Sequence, residues 1–321
     1  MGKVATFQQI GNERVFKIEN VEVNKPREGE VLVKNVAAGI NEDDVYCDLN
    51  SNMPTIIPGY NASGNVVEVG ANVSGFEPGD SVVYLSKNMG CYQEFCIVNQ
   101  NDLIALPEEI HHKTAAAAYF AGMIVHTLVK RVYLVRSETI LLVHDATSGI
   151  GHILTQWANI LGSIVIGTVD DDSKKGFAPE YGCHKVVNYN TENWDREIME
   201  MTKNYGVNVV YDPLGKETFN NSIKCLMKMG IMVCYGEKSR STGAIDIHTL
   251  SGKSLYITYP SVFDYKPNKM ELLLSANEIF GMLSSGKIKI NIDSEYSLEN
   301  IEEAHQKLKA NKAMGLMVIN I

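Results

Sequence analysis

Between Thr139 and Tyr235 the sequence alternates short apolar runs with stretches long enough to form a helix, and this alternation limits the fold more than any other feature. The runs are Thr139 to His144, Ser163 to Val169, Lys185 to Tyr189, Val207 to Tyr211 and Ile231 to Tyr235. Between them lie Ile150 to Leu161, Ser173 to Tyr181, Asn193 to Asn204 and Glu217 to Met229, each long enough to cross over a sheet. Repeated strand–helix units of this kind predict a parallel, doubly wound α/β sheet.

The first crossover opens on Asp145-Ala146-Thr147-Ser148-Gly149-Ile150-Gly151. A strand, a turn of small residues and a helix N-terminus suit a pyrophosphate, because backbone N–H groups and the helix dipole face its charge. Thr147, Ser148, Gly149, Ile150 and Gly151 are therefore candidate cofactor contacts. The spacing has one glycine fewer than the common fingerprint, so a plain strand-to-helix turn is the competing reading. About 20 residues beyond such a turn an acidic residue commonly binds the ribose of NAD. Here Asp170, Asp171 and Asp172 follow Thr168 and Val169 at the end of the second strand. A carboxylate there accepts ribose hydroxyls and repels a 2′-phosphate, whereas Lys174 and Lys175 attract one. Local chemistry leaves NADH and NADPH open, and a solvated loop is the other reading of this cluster.

Before about residue 110 the character differs: β-branched runs at Glu30 to Val36, Asn65 to Val69, Asp80 to Tyr84 and Glu94 to Val98 are separated by Pro and Gly turns, as in a barrel or sandwich. After residue 262 two helix-like stretches, Lys269 to Leu283 and Leu298 to Ala310, accompany short strands at Lys287 to Ile292 and Leu316 to Ile319. With 321 residues, 45 % apolar and 21 % charged, the chain has room for two packed domains. Its 29 Lys and Arg against 38 Asp and Glu, without a basic run, argue against nucleic acid or an anionic membrane as main partner. Six scattered cysteines, Cys47, Cys91, Cys96, Cys183, Cys225 and Cys234, read as reduced thiols of a cytoplasmic protein. The longest apolar run, Ala115 to Val125, is far short of the roughly 20 residues that span a bilayer.

Together these segments resemble the zinc-free, zeta-crystallin-like quinone oxidoreductases of the medium-chain dehydrogenase/reductase superfamily. The resemblance rests on Ala38-Gly39-Ile40-Asn41 with Asp44 and Tyr46, Pro58-Gly59, Gly64, and Gly79-Asp80 with Val82 in the first part. It continues through Gly149, Gly151 and Gln156, Gly167-Thr168-Val169 with Lys174, Val187-Asn188-Tyr189, Tyr211-Asp212 with Gly215, and Tyr235-Gly236. It implies an α/β protein with a GroES-like β-barrel catalytic domain (residues 1–122 and 262–321) and an inserted Rossmann-type cofactor domain (residues 123–261). Zinc-dependent relatives carry a Cys where this chain has Asn41 and a His where it has Tyr60. They also carry a four-cysteine lobe where only Cys91 and Cys96 stand here. Zinc sites need three or four protein ligands, so no metal site is expected.

The activity implied is NADPH:quinone reduction, with a quinone or conjugated enone as acceptor because such acceptors accept hydride without a metal to polarise them. The catalytic candidates are Asn41, donating to a developing oxyanion and lying beside the nicotinamide, and Tyr46, donating likewise or supplying a proton. The bland readings are a turn asparagine and a core ring. Carry-over from the family adds Lys174 and Tyr189 on the 2′-phosphate side and Tyr235 with Gly236 on the nicotinamide side, next to the turn residues 147–151, while Thr168 and Asp170 at the end of the second strand are further cofactor-binding candidates. Four positions depart from the family: Asn61 replaces a Glu, Ile124 a Thr, Asp170 a small residue and Asn311 an Arg. Gaining a carboxylate and losing a cation beside a phosphate each disfavour NADPH by about 1 kcal/mol or more where partly buried, which makes NADH a possible donor. A 2-enone or alkenal reductase, and a non-catalytic nucleotide-binding member of the family, are the alternative functions. A homodimer through the edge of the cofactor-domain sheet is expected.

Overall fold

The five apolar runs lie side by side in one fully parallel sheet, joined by a sixth strand, Tyr256–Thr258. Across the sheet the order is Lys185–Asn188, Ile164–Val169, Ile140–Val143, Val207–Asp212, Leu226–Cys234 and Tyr256–Thr258. The chain thus runs outward in one direction from Ile140–Val143, returns, and runs outward in the other, leaving a topological switch point between Ile140–Val143 and Val207–Asp212. In this computed structural model the described residues are 1–10, 13–46, 55–236, 238 and 242–321. No described helix is long and apolar enough to cross a membrane.

The chain divides into two compact units, Met1–Met123 with Lys266–Ile321, and Ile124–Tyr265. In the second unit the strand interiors are wholly buried, with Leu141, Leu142, Val143, Val209 and Val210 at no exposure. The helix Gly149–Ile160 covers them with Ile153, Leu154, Trp157 and Ala158, spaced three and four apart so that they form one stripe. Two expected helices are altered. Ser173 to Tyr181 forms only two short 3₁₀ turns, Asp172–Lys174 and Ala178–Tyr181, because Gly176 and Pro179 interrupt any longer helix. Glu217 to Met229 yields only the helix Phe219–Cys225; from Leu226 the chain is a strand with a bulge at which Met229 takes φ +60°.

The first unit is built on a sheet in which Glu30–Ile40 is central. It pairs antiparallel with Asn61–Val69, with Phe95–Asn99 and with the C-terminal strand Leu316–Asn320, so the chain end completes the sheet begun near its start. The edge strand on that side is Ile292–Ser297 rather than Lys287 to Ile292, because Asn291 is already committed to the backbone of Met314 and Leu316. A separate sheet pairs Gly2–Ile10 with Glu13–Val21 and Thr55–Ile56. Val31, Val33, Ala38, Val82, Tyr84, Tyr92, Met317 and Ile319 form the core, closed by Ile301, Ala304 and Leu308 of the helix Ile301–Lys309.

Candidate functional site

The turn after Ile140–Val143 is fixed by its own backbone. Ala146 N–H donates to Thr168 O at 2.9 Å, Ser148 N–H to Asp145 O at 3.0 Å, and Ser148 Oγ accepts Gly151 N–H at 3.1 Å, capping the helix Gly149–Ile160. A Cβ on Gly151 would stand 2.2 Å from Asp145 O, so the close return of the turn admits only glycine. Beneath it, buried His144 lies 2.8 Å from both Thr168 Oγ1 and Ser222 Oγ, and burial holds its imidazole below the usual range, hence neutral. Thr168 is thereby a brace of the turn, with both its carbonyl and its hydroxyl engaged. One turn further on, His152 Nδ1 is 3.1 Å from Ser148 O, and burial pushes its pKa down to about 4.

Thr147 is wholly buried, and among the described residues its Oγ1 has no hydrogen-bond partner. Buried hydroxyls are rarely left so, and an acceptor brought by a ligand would satisfy it. Gly149 and Ile150 begin the helix half-buried, at the end where unsatisfied N–H groups and the positive end of the dipole favour an anion. The cradle at Gly151 and the orphan hydroxyl of Thr147 together fit a dinucleotide diphosphate.

At the end of the second strand Asp170 Oδ1 lies 2.7 Å from Lys174 Nζ, the two side chains being 22 % and 11 % exposed. The structure thus joins two residues expected to act in opposite senses on a 2′-phosphate. Asp171 and Asp172 point to the exposed rim, their carboxyls held low by Ser173 and by Lys175 respectively. Half-buried Tyr189 follows the third strand, its N–H on Val169 O at 2.9 Å. Burial, then the carboxylates of Asp145 and Asp170, push its phenol well above the ordinary value.

On the other side of the switch point, wholly buried Asp212 ends its strand. Its Oδ1 accepts the N–H groups of Leu214 and Gly215 at 2.7 and 3.0 Å, and its Oδ2 accepts Thr218 Oγ1 at 2.7 Å. Buried Tyr235 donates its N–H to Asp212 O at 3.0 Å, and a Cβ on Gly236 would come within 2.9 Å of Pro213 O. The predicted nucleotide residues of this unit therefore gather at the carboxyl ends of its strands, where open parallel sheets bind ligands.

In the first unit, Asn41 follows the central strand and is buried. Asp44 Oδ2 accepts its backbone N–H at 2.7 Å and its Nδ2 at 3.3 Å; Nδ2 also donates to Asn61 Oδ1 at 3.0 Å. Asn61 in turn donates to Ala116 O. The Asn41 amide is thus oriented by two side chains, and donation to a ligand oxygen competes with these bonds. Asp44 is wholly buried and also accepts from Tyr92 OH at 3.0 Å, while His305 Nε2 lies 3.4 Å from that hydroxyl. Burial outweighs these hydrogen bonds and pushes the Asp44 carboxyl up to about 7. Tyr46 ends the short helix Glu42–Tyr46, and its side chain lies outside the described residues. Tyr60 stacks on Phe120 with ring centroids 5.4 Å apart. Ile124 is buried, and Asn311 follows the helix Ile301–Lys309 with φ +51°. Among the described residues no three His, Cys, Asp or Glu side chains come together as a metal site.

The sequence alone assigned no site role to Asp44, Asp145, His144 and Asp212, though Asp44 and Asp212 stand in the motifs that carry the resemblance, and it did not single out Lys238. Asp145 and Asp212 carried a signal, since each is an acidic residue at the carboxyl end of a buried strand bordering the switch point.

Residues 27–108 match the alcohol dehydrogenase GroES-like domain family, and residues 149–276 the family described as zinc-binding dehydrogenase. The chain is 32 % identical to a quinone oxidoreductase of Pseudomonas aeruginosa, over 99 % of both proteins. It is 30 % identical to a 2-haloacrylate reductase from a Burkholderia species, again over 99 % of both. Among solved structures it is similar to the Escherichia coli quinone oxidoreductase complexed with NADPH, with a TM-score of 0.95 and 31 % identity over 100 % of each chain.

Proposed function

This chain belongs to the quinone oxidoreductase family of the medium-chain dehydrogenase/reductase superfamily, and from that premise we propose that it reduces quinones with NADPH. The observation that carries the reading is the turn at residues 145–151, where a glycine-only cradle and a buried, unsatisfied threonine hydroxyl meet a helix N-terminus at the switch point. NADPH, when bound, supplies a hydride. The helix start at Gly149 and Ile150 with Thr147 holds the diphosphate, Lys174 and Tyr189 take the 2′-phosphate side, and Tyr235 with Gly236 border the nicotinamide. Asn41, oriented by Asp44 and Asn61, positions the acceptor oxygen, and Tyr46 delivers a proton to the reduced acceptor. Asn41 and Tyr60 stand where zinc-dependent relatives place ligands, so the chain's residues act on an acceptor that needs no metal activation.

The relative that reduces 2-haloacrylate supports a second reading, in which the acceptor is a conjugated enone or acrylate. Steady-state oxidation of NADPH with 1,4-benzoquinone, 2-cyclohexenone and 2-chloroacrylate separates the two. The leading reading expects the quinone to be turned over fastest; turnover only with the conjugated acids or ketones replaces it with the second.

We further propose a cytoplasmic homodimer in which residues 1–122 with 262–321 carry the acceptor chemistry and residues 123–261 the cofactor. Pairing through Tyr256–Thr258 is supported by the exposure of Tyr256 and Tyr259 on that sheet edge. Light scattering at micromolar concentration tests it, and a monomer removes it.

A further inference from the structure

Asp145 opens the glycine-rich turn with φ +52° and is only 1 % exposed. Its backbone forms the cradle over Gly151, and its carboxylate is paired with Lys238 Nζ. Lys238 comes from the loop after Leu226–Cys234; its side chain is 9 % exposed and its N–H donates to Pro213 O at 3.3 Å. The pair therefore reaches over the end of Val207–Asp212 and ties together both sides of the switch point. Its partners in sequence are 93 residues apart.

Among the described residues, the lysines of this rim are paired within the chain. Lys174 is on Asp170, Lys238 is on Asp145, and the Tyr189 phenol feels the carboxylates of Asp145, Asp170 and Glu217 against the ammonium of Lys238. A dinucleotide adds the two negative charges of its diphosphate to this balance. A buried carboxylate facing them is repulsive unless its cation serves the phosphate as well or instead.

Resting on the reading of the chain as an NADPH-dependent reductase, we propose that Lys238 is a cofactor-phosphate ligand held in reserve by Asp145. On binding, the ammonium exchanges the carboxylate for a phosphate oxygen, and Asp145 sets nucleotide affinity by competing for it. The side chain acts on affinity and on salt dependence, since exchange of one ionic contact for another leaves an extra anion in the site.

Three variants of the full chain, Asp145→Asn, Lys238→Gln and the double replacement, test this by titration of nicotinamide fluorescence with NADPH and with NADH, beside thermal unfolding. Asp145→Asn is expected to bind both nucleotides about tenfold more tightly. Lys238→Gln is expected to bind them at least tenfold more weakly, about one ionic contact's worth. The double variant is expected to lose the gain, which a mere removal of repulsion would preserve. Where Lys238→Gln fails to fold, because a buried carboxylate is left alone, the double variant decides the point. Weaker binding by Asp145→Asn makes the carboxylate itself the nucleotide ligand and overturns the proposal. Unchanged affinity with a lowered melting temperature makes the pair a structural tie and also overturns it. Failure of the unaltered protein to bind either nucleotide overturns this inference and the proposed function together, whereas the other two results leave the function standing.

Discussion

At the glycine-rich turn the polar groups come from seven consecutive residues and are largely backbone, whereas around Asn41 they are side chains gathered from Asp44, Asn61, Tyr92 and His305. The turn offers donors whose directions follow from the chain path, and the cost of a wrong residue there is steric. The Asn41 cluster offers directions set by hydrogen bonds among buried groups, and the cost of a wrong residue there is an unsatisfied polar atom or a displaced proton. The first arrangement suits a constant ligand such as a diphosphate; the second can be retuned by single substitutions.

Gly151→Val breaks the comparison most severely. Its side chain has to displace the carbonyl of Asp145, so NADPH binding is expected to vanish with a stability loss of about 3 kcal/mol. Calorimetric titration and thermal unfolding check it, and retained binding means that the cradle is not used.

Asp44→Asn probes the other region through pH. The folded carboxyl titrates at about 7 against 3.8 for a free side chain, so between those values the folded protein keeps a proton that the unfolded chain has lost. Stability from this group is complete below the lower value and falls as pH rises through the window, by at most about 1.4 kcal/mol per pH unit. The asparagine variant should lack this slope in urea unfolding between pH 4 and pH 7; an unchanged slope assigns it to other groups.

Asn61→Leu removes one of the two acceptors of Asn41 Nδ2 and the side-chain donor to Ala116 O, at about 1 kcal/mol per hydrogen bond lost. Turnover should fall with NADPH affinity unchanged, which sharpens the division between the two regions. A change in affinity instead of turnover blurs it.

The smallest effect expected is from Asp170→Ser. Freed of its carboxylate partner, Lys174 is available to a 2′-phosphate, and the NADPH to NADH affinity ratio should rise about tenfold. A ratio that stays put means that the Asp170–Lys174 pair lies away from the nucleotide.

The turn was legible in the sequence for the same reason that it is robust: its residues are contiguous and its geometry is a matter of size. The strands on either side of it were legible as unbroken apolar runs. The hairpin Gly2–Ile10 with Glu13–Val21 was not, since it is decided by cross-strand partners such as Phe7 and Phe16 that no local pattern reports. Gly176 and Pro179 were visible, yet their power to break a helix was outweighed by length in the expectation for Ser173 to Tyr181. The sequence showed Asn41 and Asp44 three apart but not that both are buried, nor that Tyr92 and His305, 213 residues apart, meet beside them. It showed Asp170 and Lys174 as rival influences and not as an ion pair, because at four residues apart outside a helix their meeting depends on the 3₁₀ turn between them.

The most direct test of the central claim is rapid-mixing measurement of nicotinamide oxidation when protein loaded with NADPH meets 9,10-phenanthrenequinone. Oxidation that saturates with quinone is expected in the unaltered protein and is expected to be absent in Gly151→Val. Tight NADPH binding without oxidation by this or any simple quinone contradicts the assignment as a quinone reductase.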